Sequence, residues 1–147
     1  MVSLNEALES NNVRSPILQA WNFTQRSNVE WGGWIYHVPN GYSASIKTDN
    51  QNSSIVLTNP NDLVRLGNAV ILSDFHCHPG NNPASCRPSD QDIRGARFVE
   101  YDRLVFTYIS STVYPDELYR RALARPPPFD FRDERDRIIE VAMWMIR

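Results

Sequence analysis

Apolar and polar positions along the chain switch between two periods. Residues 31–38 (WGGWIYHV) and 42–48 (YSASIKT) read as strands joined at Pro39-Asn40-Gly41, a hairpin turn signal. Residues 53–58 (SSIVLT) read as a third strand. Residues 69–75 (AVILSDF) form a continuous, bounded apolar run, which suits a central strand covered on both faces and ending at Phe75. Residues 103–110 (RLVFTYIS) read as another buried strand, with 111–114 (STVY) pairing beside it.

The remaining segments carry helix signals. Ser3 and Glu6 make an S-x-x-E capping pattern that opens a short helix. From Pro16 to about Gln25, a continuing helix and a crossover to the sheet are both open. Residues 59–68 read as a short helix capped by Asn59 or Asn61, with Leu63 and Leu66 facing inward. Ser89 opens a helix over 89–100 with Ile93, Ala96 and Val99 on one stripe. Pro115 starts a helix over 115–124, which the run RPPPFD ends. The last seventeen residues are expected to form an amphipathic helix with Ile138, Ile139, Ala142, Met145 and Ile146 near one face. This order predicts an α/β or α+β sandwich with helices on a mixed, curved sheet.

Composition narrows the class. A chain of 147 residues is the length of one domain and can bury a core without a metal or disulfides to staple it. Any metal is therefore expected to be functional rather than structural. The net charge of −2, with no long run of either sign, argues against a nucleic-acid binder. No apolar run is long enough to span a membrane, and the N-terminus has no basic region followed by an apolar core. The expectation is a cytoplasmic protein, or a domain of a longer chain. Cys77 and Cys86 then default to free thiols. Fourteen arginines against the single Lys47 read as genomic bias rather than avoidance of lysine modification.

The chemistry concentrates in residues 73–92, SDFHCHPGNNPASCRPSDQD, which hold two of the three histidines, both cysteines and three aspartates. Side chains alternate along a strand, so His76 and His78 share a face about 6.5–7 Å apart and can chelate one metal ion. Asp92 sits in the first turn of the helix opened by Ser89, where the positive helix end favours a carboxylate, and is the candidate third ligand. Two histidines and one carboxylate leave a tetrahedral zinc with one open position, the pattern of a catalytic site. Glu30, just before Gly32 and Gly33, is the candidate general base, and Ser89 the donor to a developing oxyanion. Each also has a plainer reading: two polar residues at a strand end, an ordinary helix start and a surface carboxylate. Glu6 and Glu9 are the other early carboxylates, both on the first helix. His37 reads as structural, Trp34 as core and Trp31 as a candidate groove wall.

His76-Cys77-His78-Pro79 followed by Ser89-Asp90-Gln91-Asp92 reads H-x-H-P-x(9)-S-x-x-D. With an upstream Glu before small residues and a strand, the chain resembles the JAMM/MPN+ zinc metalloproteases, over roughly residues 20–115. The resemblance implies a cytidine-deaminase-like α/β/α sandwich in a single domain, with helices over 116–147. It implies zinc on His76, His78 and Asp92, Glu30 as acid and base, and Ser89 at the transition state. It also implies hydrolysis of a peptide or isopeptide bond, in a substrate such as a ubiquitin-like modifier or sulfur-carrier tail. Ten residues separate His78 from Ser89, more than is commonest in the family, and Cys77 stands where Ser or Thr is more usual. The rival expectations are a non-catalytic MPN-like scaffold, a specialised amide hydrolase of a biosynthetic pathway and a cupin-like iron enzyme. The helical segments speak against the cupin. A zinc deaminase would need a P-C-x-x-C element, which is absent.

Overall fold

The structure, a computed structural model, describes residues 2–57, 69–80, 85–96, 101–108, 123–125, 131–132, 138–139 and 141–146. Ser3 caps helix α1 (Leu4–Glu9) by accepting from the Glu6 N–H. Helix α2 (Asn11–Ser27) runs continuously through Pro16, which settles that segment as helix. Its buried stripe of Val13, Ile17, Ala20, Trp21 and Thr24 follows the helical period. Asn28 ends it in the left-handed region at φ 57°, its N–H returning to the Thr24 carbonyl.

The next segments are strands: β1 (Trp31–Val38), β2 (Gly41–Thr48) and β3 (Val70–Cys77). Helix α3 (Asp90–Gly95) and β4 (Asp102–Tyr108) follow, then the short β5 (Leu123–Arg125), β6 (Phe131–Arg132), β7 (Ile138–Ile139) and finally β8 (Val141–Ile146). Six strands form one mixed sheet in the order β2-β1-β3-β4-β8-β5, and β6-β7 make a separate two-stranded pair. β3 and β4 are parallel; their neighbours in the sheet run antiparallel. The fold is mixed α/β with an open sheet.

Alternation along the strands sorts the two faces. Ile35, Phe75, Cys77, Leu104, Phe106, Met143 and Met145 pack with α1 and α2 in the main core. Val105, Trp144 and Ile146 face the other way and pack with Ile93 and Ala96 on and beside α3. The site-bearing residues of β3 point to this second face.

Four sequence expectations are corrected. The described part of the last seventeen residues, expected as a helix, is strand: 131–132, 138–139 and 141–146. Met143, Trp144, Met145 and Ile146 are all buried, alternate residues serving opposite cores, as a strand between β4 and β5 requires. A short apolar run carries no period that distinguishes this from a helix face. Leu123 and Ala124, expected at the end of the helix begun at Pro115, lie in β5. Residues 53–57 form no strand. Their ladder groups are taken by side chains instead: the Val56 N–H by Asp49, the Val56 carbonyl by Lys47, and the Leu57 carbonyl by Trp34 and Tyr101. β3 also runs two residues past Phe75, so His76 is within the strand. The helix expected over 59–68, the strand over 111–114, most of the segment 115–124, Val99 and the residues 126–130 lie outside the described residues.

Candidate functional site

The register of the central strands brings the site together. β1 pairs with β3 so that Trp31 faces Cys77 and Gly32 faces His76. Glu30 and His78 each lie one residue beyond the last pair of this ladder. Glycine is needed here: a Cβ on Gly32 would collide with the Phe75 carbonyl and lie 2.8 Å from the Cβ of His76. Glu30 is pinned through its backbone, its N–H donating to the Gln51 carbonyl at 2.8 Å and its carbonyl accepting from Thr48 at 2.7 Å. Its side chain points inward and the residue is 4% exposed.

The long loop after His78 is tied at several points. The His78 N–H donates to the Phe106 carbonyl, and Gln25 clamps the His78 carbonyl and the Gly80 N–H. Thr107 donates to the Cys86 carbonyl and accepts from the Trp144 indole. The loop then delivers Ser89 to α3 in a full capping box. Ser89 Oγ accepts from the Asp92 N–H at 3.0 Å, and an Asp92 carboxylate oxygen accepts from the Ser89 N–H at 2.8 Å.

Four of the expected side chains converge. His76 Nε2 and His78 Nε2 are 3.2 Å apart. Asp92 reaches both, Oδ1 at 3.0 Å from His76 and Oδ2 at 3.1 Å from His78. Glu30 Oε1 stands slightly back, 3.6 Å from His76 and 3.8 Å from His78. Ser89 lines the same cavity as Glu30, His78 and Asp92, a cleft of about 720 Å³ whose far wall is the segment 52–57. Buried Glu30, His76 and His78 lie close enough to hold one metal ion. The donor chemistry fits: His78 Nδ1 faces the Ser85 carbonyl at 3.2 Å, so that nitrogen carries the hydrogen and Nε2 keeps its lone pair for the cluster. His76 Nδ1 is buried with no partner among the described residues.

The electrostatics of the metal-free cluster follow from this crowding. Burial opposes charge on His76, but the Asp92, Glu30 and Asp74 carboxylates outweigh it and hold its pKa at about 9. Burial would raise the Asp92 carboxyl, but the two imidazoles hold it well below the usual carboxylate range. Burial dominates at Glu30 and raises its carboxyl despite the histidines. A metal ion would replace the proton on His76. His76, raised from an ordinary 6.5, contributes stability to the metal-free chain below about pH 6.5, and that contribution disappears as pH rises through about 9. The chelated protein is expected to melt progressively lower from about pH 6.5 to about 9.5 in thermal denaturation, and His76→Gln to flatten that slope. A wild-type curve without the slope would refute the charged His76.

Sequence reasoning missed three contributors. Asp74, fully buried, shares the face of His76 and binds Arg103 on β4, with Nε at 3.1 Å from Oδ1 and Nη2 at 3.0 Å from Oδ2. Gln25 is the third. Asp74 did carry a signal, because a carboxylate inside a buried apolar run requires a partner; Gln25 carried none. Trp31 is not in the cleft wall. Its ring lies tilted beside Phe23, 4.9 Å between ring centres, against the main core, whereas Trp34 holds the segment that forms the wall. Cys77 faces the core away from the cluster, and no disulfide joins Cys77 and Cys86. His37 lies against Tyr42, away from the site. Glu6, on α1, accepts from Tyr42, and Glu9 ends that helix.

No family model, curated protein or solved structure matches the chain. Among the described residues no helix is long and apolar enough to cross a membrane.

Proposed function

We propose that the protein is a zinc-dependent hydrolase of peptide or isopeptide bonds, of the JAMM/MPN+ kind, with the α/β/α architecture of that family. One observation carries the reading: a single carboxylate, Asp92, meets both imidazole Nε2 atoms while a second, buried carboxylate stands behind them at the mouth of a cleft. Ligand atoms around a tetrahedral zinc, with bonds of about 2.0–2.2 Å, lie about 3.3 Å apart. The 3.0–3.2 Å separations among His76, His78 and Asp92 support that ion and that ligand set. When bound, zinc supplies a polarising cation and eases the ionisation of water.

The chain's own residues supply the rest. Glu30, set back from the ligands and raised by burial, takes the proton of the attacking water and passes it to the leaving amine. The Ser89 oxygen already accepts from the Asp92 N–H, so its hydroxyl hydrogen is available to the oxyanion that forms in the cleft. The cleft wall at 52–57 runs beside these groups and would flank an extended segment such as the tail of a ubiquitin-like or sulfur-carrier protein.

The test is reconstitution. Protein stripped with a chelator and reloaded with zinc is screened against peptide and isopeptide libraries, with metal content read by mass spectrometry. About one zinc per chain and chelator-sensitive cleavage are expected. A folded protein that takes up no metal would eliminate the hydrolase and leave a non-catalytic binding domain.

A further inference from the structure

We infer that Arg103 is a positioning residue for this site, holding Asp92 against the two histidines, and that Asp74 in turn holds Arg103. The inference rests on the metal-site reading above. Arg103 stands beside Asp74 in the parallel register of β3 and β4. Its guanidinium grips the Asp74 carboxylate through Nε and Nη2, and its remaining nitrogen, Nη1, donates to the backbone carbonyl of Asp92 at 3.3 Å. One planar group thus joins the strand that carries His76 to the helix that carries Asp92. Apart from its carboxylate contacts with the two histidines, Asp92 is tied by its capping box with Ser89 at the start of the same short helix, which fixes the turn but not its distance from β3. That helix is only six residues long and its final N–H, on Ala96, bonds to the Arg94 carbonyl. Arg103 therefore supplies a cross-link between sheet and helix at the ligand itself.

Gly95 completes the clamp. A Cβ there would lie 2.5 Å from Arg103 Nη1, and the next nearest atoms, at 3.6 and 3.9 Å, also belong to the guanidinium. Glycine at 95 is what lets Arg103 Nη1 come this close to the helix. A lysine could satisfy Asp74 or the Asp92 carbonyl with its point charge, but it cannot fork to one while holding the other.

Two variants test this. Arg103→Lys keeps the charge and loses the fork. Gly95→Ala keeps every charged group, favours the helix, and pushes the guanidinium aside. Both are expected to keep the wild-type circular dichroism, to bind zinc about 10–100-fold more weakly in chelator competition, and to shift the visible absorption of the cobalt-substituted protein. A merely structural ion pair predicts no such change for Gly95→Ala, and that variant decides the matter even if Arg103→Lys does not fold. Wild-type zinc affinity and an unchanged cobalt spectrum in Gly95→Ala overturn the clamp and leave the proposed hydrolase standing. A wild-type protein that binds no metal overturns both.

Discussion

Glu30→Gln is expected to keep about one zinc per chain and to lose about 10²–10⁴-fold in kcat/KM. The substitution is isosteric and leaves both backbone bonds of residue 30, to Gln51 and Thr48, untouched. The three side chains proposed as ligands, His76, His78 and Asp92, are also unchanged. What disappears is the proton acceptor of the proposed mechanism. Burial raises the Glu30 carboxyl, and a base tuned upward from the ordinary carboxylate range works better near neutral pH. Two measurements on one sample, metal content and initial rate, separate the alternatives. Retained metal with retained activity would remove Glu30 from the chemistry. Lost metal would make Glu30 a ligand, an arrangement its 3.6 and 3.8 Å distances to the histidines also permit.

Some of this site was written in local sequence and some was not. The His-x-His face required only strand alternation, and the Ser89–Asp92 box only the spacing of a helix start; both signals span a few residues and act over them. The meeting of Glu30 with these groups depends on the antiparallel register of β1 against β3, a non-local fact to which Gly32 was the one local clue. The hairpin at Pro39-Asn40-Gly41 was legible because turn chemistry is local. The C-terminal strand was not. Met143 to Ile146 are apolar on both sides because both sides are covered, and the same letters fit a helix face until β4 and β5 are known to flank them. Residues 53–57 looked like a strand by composition. Their hydrogen bonds go to Asp49, Lys47, Trp34 and Tyr101, partners no strand propensity can anticipate. The Asp74–Arg103 pair shows the same division. The need for a partner was visible at Asp74, but its identity required the parallel pairing across a crossover.

Asp92→Ala is expected to take zinc content from about one per chain to none at micromolar metal, with hydrolysis falling to background. Outer partners of a metal site are worth about 10–100-fold in affinity, so loss of a direct ligand should exceed about 100-fold. The same variant separates two meanings of the cluster. In a metal site, the low carboxyl of Asp92 and the raised imidazole of His76 are a ligand set awaiting a cation. In a structural ion-pair network they are the finished product, and Asp92 is there for stability. The network predicts that zinc leaves the melting temperature of the wild type unchanged. The metal site predicts that zinc raises it, by RT ln(1 + [zinc]/Kd), about 2.7 kcal/mol at a hundredfold excess over Kd. It predicts further that Asp92→Ala abolishes this increment while keeping the fold, since Ser89 and Arg103 both hold residue 92 through backbone groups that alanine keeps. Thermal melts of both proteins with zinc and with chelator therefore decide it. A zinc-dependent rise in the wild type that persists in Asp92→Ala would place the metal elsewhere, and no rise in either would leave the histidines and Asp92 as a buried ion pair.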